Sequence, residues 1–547
     1  MKRKLDDALL HGPSHAKMPI STKIQLDPRE RRLRNLLVDV ARSIDGPEPV
    51  VLRWAGGWVR DKLLGSASHD IDVAINNMTG GQFTAHLREH CQKQGVIAAH
   101  NLVQGDIGSP HTVARQPDKS KHLETAILRL FGLDLDFVNL RKETYADDSR
   151  NPQMEFGSAE EDAVRRDATI NALFYNLNTE QVEDFTGGLA DMEKKIIRTP
   201  LEPLQTFKDD PLRVLRLVRF SSRLDFSIDQ GTRMVMADTT VLEALKVKIS
   251  RERVGQELEK MLQDNHPRLA LQLIDDIGLY HAIFTDPTRP DLQQPDITRW
   301  PVAYNGLDDI LQTRTPGSIA AALIHTDEYR WIAWNLAAVS PWMRVQDPPG
   351  TKKKANALPP VGVIAREGYK AANKLTDIMA ASHRHLDEIL SLKKDVLDGA
   401  AHICERDRFG MAIRRWDAQG GSWRLQVLAA LLTEALERLS VWPGAGEEGV
   451  SQAGAHATKR DAFVGEWQKF LDHLVEIDVM DAPQLKRLLD GRELAKALGV
   501  KPGKWTGQAL DVCVAWQLRN PNETDPTPAI EEVRQRRKEL GIPDAQS

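Results

Sequence analysis

The chain has 547 residues, 41% hydrophobic and 28% charged; that length exceeds what one core fills, so two to four domains are expected, and the composition excludes wholesale disorder. A net charge of −5 gives no general attraction for nucleic acid, so binding to a polyanion must rest on local basic faces. Cys91, Cys404 and Cys513 lie far apart without a ligand pattern, which argues against a disulfide framework or a zinc site, and no apolar run is long enough for a membrane span.

In chain order, residues 1–26 carry charge but lack the apolar stretch of a secretory signal, and Asp6 and Asp7 do not suit a transit peptide. A disordered tail is expected there. Asp27 followed by Pro28 predicts a helix start, and Leu33, Leu36, Leu37 and Val40 keep helical spacing behind it. Between about residues 50 and 140 the runs VVLRWAG, IDVAI and LDLDFVNL predict strands interleaved with helices. Residues 101–122 read as a polar loop between strands. After about residue 200 the periodicity is almost entirely helical, as in PLRVLRLVRFSSRL, ERVGQELEKMLQ, HRHLDEILSLKKDVL and WRLQVLAALLTEALERL. Two polar stretches rich in proline and glycine, 346–360 and 443–459, read as exposed loops or insertions.

The chemistry concentrates in RWAGGWVRDKLLGSASHDIDVAI, residues 53–75. On a strand, Asp70 and Asp72 share one face while Ile71, Val73 and Ile75 turn to the core. Carboxylates held that close repel unless a cation joins them, and oxygen ligands suit Mg²⁺ bound together with substrate phosphates. Gly56 and Gly57 let backbone N–H groups approach a triphosphate, with Arg60 three residues on. A third carboxylate is then wanted to complete the metal site and take the proton of an attacking hydroxyl. LDLDFVNL offers Asp134 and Asp136 on one strand face. Alone, a DxD pair is more often a strand end balanced by lysines or arginines; the glycine pair and the second acidic strand reverse that preference.

GGWVRD, HDIDVAI, SKHLETA, DFVNLRKETY, RRDATINALFYN, DFTGGLADM, DDPLRVLRLVRF and RVGQELEKML occur in an order and spacing that resemble the CCA-adding tRNA nucleotidyltransferases shared by bacteria and eukaryotes, with wording like the fungal branch. The resemblance is dense over residues 30–285 and returns at 488–518. It implies an α/β nucleotidyltransferase head with a mixed β-sheet over 27–195, followed by an all-α neck (196–285), body (286–442) and tail (460–547, tRNA-binding), with 443–459 as a flexible insertion. It also implies addition of CCA to the tRNA 3′ end from CTP and ATP with release of pyrophosphate, a Mg²⁺ cofactor, and a distribution among cytoplasm, nucleus and mitochondrion. No protein partner is expected.

Carried onto this chain, the resemblance makes Asp70, Asp72 and Asp136 the catalytic, metal-binding carboxylates and leaves Asp134 a bystander. Gly56, Gly57 and Arg60 would hold the triphosphate, and Asp61 would form a structural salt bridge. Arg166, Asp167 and Asn171, clustered by helical spacing in RRDATINA, would meet the ribose, with Arg165 a surface charge. Asp210 and Arg213, three residues apart at a helix start marked by Pro211, would read the base, with Arg216 extending the face. Cytosine and adenine each present an amino donor beside a ring-nitrogen acceptor, which suits an aspartate and an arginine; uracil and guanine invert both positions. Arg251, Arg253 and Glu257 read as helix-stabilising pairs, and DFTGGLAD as a hinge or a plain turn. Enzymes that add only CC or only A, a poly(A) polymerase, and a non-catalytic RNA-binding protein remain open as alternatives.

Overall fold

The computed structural model describes residues 23–68, 70–108, 111–113, 125–144, 153–349, 357–443 and 451–543. The chain divides into two compact units, Met1–Lys248 and Ile249–Ser547. Most of the tail at 1–26, much of the loop at 101–122, and parts of the stretches at 346–360 and 443–459 lie outside the described residues.

The first unit opens with α1 (Pro28–Arg42). Its start is a capping box: Asp27 accepts from the backbone N–H groups of Arg29 and Glu30 at 2.8 and 2.9 Å, and Glu30 accepts from that of Asp27 at 2.8 Å. Leu33, Leu36, Leu37 and Val40 are fully buried, as their spacing requires. Next come β1 (Leu52–Ala55), α2 (Gly57–Leu63), β2 (Asp70–Ile75), α3 (Gly80–Cys91) and α4 (Gln94–His100). They are followed by β3 (His111–Val113), β4 (Thr125–Leu130), β5 (Leu133–Asn139), and a hairpin of β6 (Arg141–Thr144) and β7 (Gln153–Phe156). β3 places extended backbone inside the stretch read as a loop, paired antiparallel to β4.

After α5 (Ala159–Val164), the strands β8 (Leu173–Asn176) and β9 (Gln181–Asp184) complete a seven-stranded sheet in the order β3-β4-β5-β2-β1-β8-β9. The sheet is mixed, because β2 and β5 run parallel while β1 is antiparallel to both β2 and β8. Ile71, Val73 and Ile75 are buried between the exposed Asp70 and Asp72, the alternation that the period of a strand imposes. Trp54 and Trp58 are buried edge to face with centroids 4.6 Å apart, and the Trp58 indole donates to Glu30. The unit continues through α6 (Gly188–Glu193), β10 (Ile196–Ile197), α7 (Pro203–Asp209) and α8 (Leu212–Leu224).

Among the described residues, all elements of the second unit are helical. Three helices, Asn373–Asp398, Trp423–Arg438 and Ser451–Glu476, share an ion cluster that reaches from the buried Lys393 to the surface: Lys393 donates to Glu434 at 2.7 Å and to Glu466 at 2.8 Å, while the exposed Arg438 donates to Glu466 at 2.7 Å. Residues 451–459, read as flexible insertion, are instead the first turns of the third helix; their alanines are strong helix formers. Arg251 also differs from expectation: its buried guanidinium donates to the carbonyls of Gly368, Ala282 and Ile283 and stitches separate segments together. Burial pushes it down to about 10. Among the described residues no helix is long and apolar enough to cross a membrane.

Candidate active site

The parallel pairing of β2 with β5 sets Asp70 opposite Asp134 and Asp72 opposite Asp136. Register partners in a sheet point to the same face, so two parallel strands bring four carboxylates onto one surface. Asp134 lies 3.7 Å from Arg129, a pair in which both side chains are exposed. Burial, followed by the negative charges of Asp72, Asp70 and Asp134, pushes Asp136 up from the usual carboxylate range. Asp72 reaches solvent but stands in a crevice: desolvation raises it foremost and Asp70 adds to the effect, while Arg166 pulls the other way.

Gly56 ends β1 with φ +67, and a Cβ there would meet the Arg166 Nη1 at 2.9 Å and the Asp72 Oδ2 at 3.6 Å. Only glycine allows both the turn and the close approach of that guanidinium. Gly57 then starts α2. The turn therefore lies directly against Asp72, joining the two halves of the motif.

Arg166 is aimed by a residue that the sequence reading did not single out. Asp162 on α5, 1% exposed, accepts from Arg166 Nε and Nη2 at 3.1 and 3.0 Å and also from Arg165. Its carboxyl stays low although burial opposes this, because Arg166 and Arg165 flank it. Arg165 is thus not a surface charge: it is largely buried, bonded to Asp162 and to Glu143 on β6. Arg141 closes the cluster through Glu143 at 2.6 Å. The signal available in the sequence was the spacing in EEDAVRR, which sets Asp162 three and four residues before two arginines.

Asp167 and Asn171 come together, with the Asn171 Nδ2 donating to Asp167 at 3.1 Å, but not through helical spacing: α5 ends at Val164, Ala168 is extended, and only Thr169–Asn171 form a short 3-10 turn. The same carboxylate accepts from Arg216 of α8 at 2.5 Å. Burial opposes its charge, but Arg216 and Asn171 hold it well below the usual carboxylate range. Arg213 is buried and donates to the Arg165 carbonyl at 2.7 Å, and Asp210 sits between α7 and α8, accepting from the Leu212 N–H at 3.1 Å. Arg60 is placed differently from expectation. It is 4% exposed and its guanidinium bonds to Asp61 and Asn171, beneath the turn.

Asp184 caps the DFTGG turn by accepting from the backbone N–H groups of Thr186, Gly187, Gly188 and Leu189 at 2.9 to 3.1 Å. Four such bonds describe a fixed turn.

Residues 52–198 match the poly A polymerase head domain, and residues 225–293 match the probable RNA and SrmB-binding site of polymerase A. The mitochondrial CCA tRNA nucleotidyltransferase of Saccharomyces cerevisiae is 36% identical over 92% of this chain and 92% of its own. This chain belongs to the tRNA nucleotidyltransferase family. A nucleotidyltransferase of Purpureocillium lilacinum, lcsQ, is 60% identical over 99% of this chain and 98% of its own. Among solved structures, a CCA-adding enzyme in its apo form covers 93% of this chain and 96% of its own with a TM-score of 0.60 at 18% identity, and a complex of a CCA-adding enzyme with CTP gives 0.59 at 19%. These two likenesses show that the tRNA nucleotidyltransferase fold, a mixed-sheet head with a helical remainder, extends along nearly the whole chain.

Within that tRNA nucleotidyltransferase head, the fit of a divalent cation can be tested on the donors themselves. Among the described residues no group of three His, Cys, Asp or Glu side chains converges to hold a metal ion. The carboxylates of β2 and β5 nevertheless offer hard oxygen donors on one face, two of them raised in pKa by burial and mutual charge, which is the condition a bound cation relieves.

Proposed function

We propose that this protein adds CCA to the 3′ ends of tRNA, taking CTP and ATP and releasing pyrophosphate without a nucleic-acid template. The observation that carries the reading is the register of Asp72 against Asp136 beside the Gly56 turn. It supplies a carboxylate pair and a backbone cradle within one surface. Asp70, Asp72 and Asp136 would hold Mg²⁺, which when bound neutralises phosphate charge and lowers the pKa of a coordinated hydroxyl.

The remaining work falls to the chain's own residues. The Gly56–Gly57 turn presents backbone to the triphosphate, and Arg166 sets a positive charge between the turn and Asp72. Asp136, set opposite Asp72 by the strand register, is the acceptor for the proton of the attacking tRNA 3′-hydroxyl. Asp167 and Asn171 flank the ribose, and Asp210 with Arg213 reads the amino and ring-nitrogen positions shared by cytosine and adenine. The Saccharomyces cerevisiae and Candida glabrata relatives are named mitochondrial, which supports a mitochondrial pool beside those in cytoplasm and nucleus.

Labelled CTP, ATP, UTP and GTP, offered with Mg²⁺ to tRNA transcripts lacking the terminal triplet, ending in CC, and complete, test this directly. The proposal requires CCA on the first, A on the second and arrest on the third. Arrest after CC, or use of the CC-ended transcript alone, assigns half of a divided activity; no incorporation removes the enzymatic reading.

A further inference from the structure

Strand register lays one row of residues across the face of the sheet that carries the carboxylates. Ala55 of β1 is set against Asp72 of β2, Asp72 against Asp136 of β5, and Asp136 against Ile127 of β4. Register partners share a face, so Ile127 stands beside Asp136, about 5 Å away at the spacing of neighbouring strands. A second row runs alongside, Asp70 against Asp134 and Asp134 against Arg129. The alternate residues of β4, Ala126, Leu128 and Leu130, are buried, while Ile127 is 37% exposed and the Arg129 side chain 67%. β4 therefore turns one apolar and one cationic side chain to the open side of a surface that bears four carboxylates.

The strand order gives the first row a direction. The Gly56 turn follows Ala55 at the end of β1 and lies against Asp72, so the triphosphate cradle stands on one side of the carboxylate pair and β4 on the other. In nucleotidyl transfer the 3′-oxygen bonds to the α-phosphorus as the bond to pyrophosphate breaks, with attacking and leaving oxygens roughly in line. The hydroxyl must then arrive from the side away from the departing pyrophosphate, past Asp136, which takes its proton. The sugar that carries this hydroxyl comes to lie over β4. There the exposed Ile127 gains by being covered with a sugar face. The phosphate that ties this nucleotide to the rest of its strand has to cross a surface bearing Asp70, Asp134 and Asp136, which repels it. Arg129 is the cation of that second row. Its pairing with Asp134, at 3.7 Å and exposed on both sides, is of a kind weak enough to yield to a phosphate.

We propose that β4 seats the 3′-terminal nucleotide of the acceptor strand, with Ile127 packed against its ribose and Arg129 meeting the phosphate on its 5′ side. Both residues act on the acceptor and leave the incoming nucleotide untouched. The assignment rests on the reading of Asp136 as the group that faces the attacking hydroxyl.

Steady-state extension by the full chain with Mg²⁺, of a CC-ended tRNA transcript with ATP and of a transcript lacking the triplet with CTP, separates the two substrates when each is varied in turn. Ile127→Ala should lower kcat/KM for tRNA about fivefold and Arg129→Gln about tenfold, each leaving KM for the nucleotide within about twofold of wild type. Filter binding of the same tRNA in rising KCl gives a second readout, because one phosphate contact on a single strand contributes about 0.7 to the slope of log affinity against log salt. Arg129→Gln should be shallower by that amount, and Arg129→Lys, which keeps the charge, should keep the wild-type slope. An uncharged methylphosphonate at the last internucleotide linkage should cost the wild type about the same tenfold and cost Arg129→Gln nothing further. Equal losses for tRNA and nucleotide, or full additivity of the methylphosphonate with Arg129→Gln, overturn the proposal. A wild type that extends neither transcript sinks the enzymatic reading, and retained activity in Asp136→Asn sinks the reading of Asp136; an active wild type with unaltered Ile127 and Arg129 variants sinks this proposal alone.

Discussion

Asp72 of β2 and Asp136 of β5 are register partners in neighbouring parallel strands, sixty-four positions apart in the chain and on one face of the sheet. A pair of like charges so placed weakens the fold unless something positive lies between them.

Replacing Asp72 or Asp136 by asparagine should therefore abolish nucleotide incorporation, by about a thousandfold or more, and leave the melting temperature unchanged or higher, since a repulsion is removed. Incorporation onto tRNA and a thermal melt on the same preparation test both halves. Retained activity in a folded Asp72→Asn protein excludes the carboxylate assignment.

The proposed base-reading role of Asp210 and Arg213 makes a prediction about choice. Asp210→Arg replaces an acceptor by a donor, so the variant should lose its preference for CTP over UTP, by about tenfold or more. Competition between labelled CTP and UTP reads the ratio, and an unaltered ratio would exclude Asp210 from selection.

Asp162 carries three arginine neighbours while almost fully buried. Asp162→Ala leaves Arg165 and Arg166 without their carboxylate and should destabilise the protein by about 3–5 kcal/mol, the usual cost of breaking a buried ion pair by removing one partner. Urea unfolding measures the loss; a shift within the noise of the midpoint would show that Asp162 contributes only locally.

In the helical unit, Arg438 first and Lys393 after it hold Glu466 down at about 2, although burial opposes this. A depressed carboxyl stabilises the fold above its unfolded pKa, and the contribution is lost as pH falls from about 4.5 through about 2. Glu466→Gln should flatten the dependence of the urea midpoint on pH across that window, whereas an equal slope in both proteins would remove Glu466 as a source of acid sensitivity.

Local sequence was enough wherever a function needs neighbours in the chain. The capping box at Asp27, the alternation around Asp70 and Asp72, and the apolar stripe of α8 all follow from the periods of strand and helix. Residues 451–459 carry glycine and polar residues that suggest a loop, yet the alanines among them favour the helix that they begin.

The sequence alone marked the residues proposed for nucleotidyl transfer: a glycine pair, a strand with two acids, a second acidic strand, and an arginine in the first turn of a helix with an extended aspartate just ahead of it. Tertiary structure alone decided how these side chains are used. It set Asp136 against Asp72, turned Arg165 from the surface to Asp162 and Glu143, and drew Arg60 beneath the glycine turn to Asn171. The reason is physical: periodicity fixes the face on which a residue lies, but an arginine side chain is long and always charged, so its place depends on which buried acceptors the fold brings within reach.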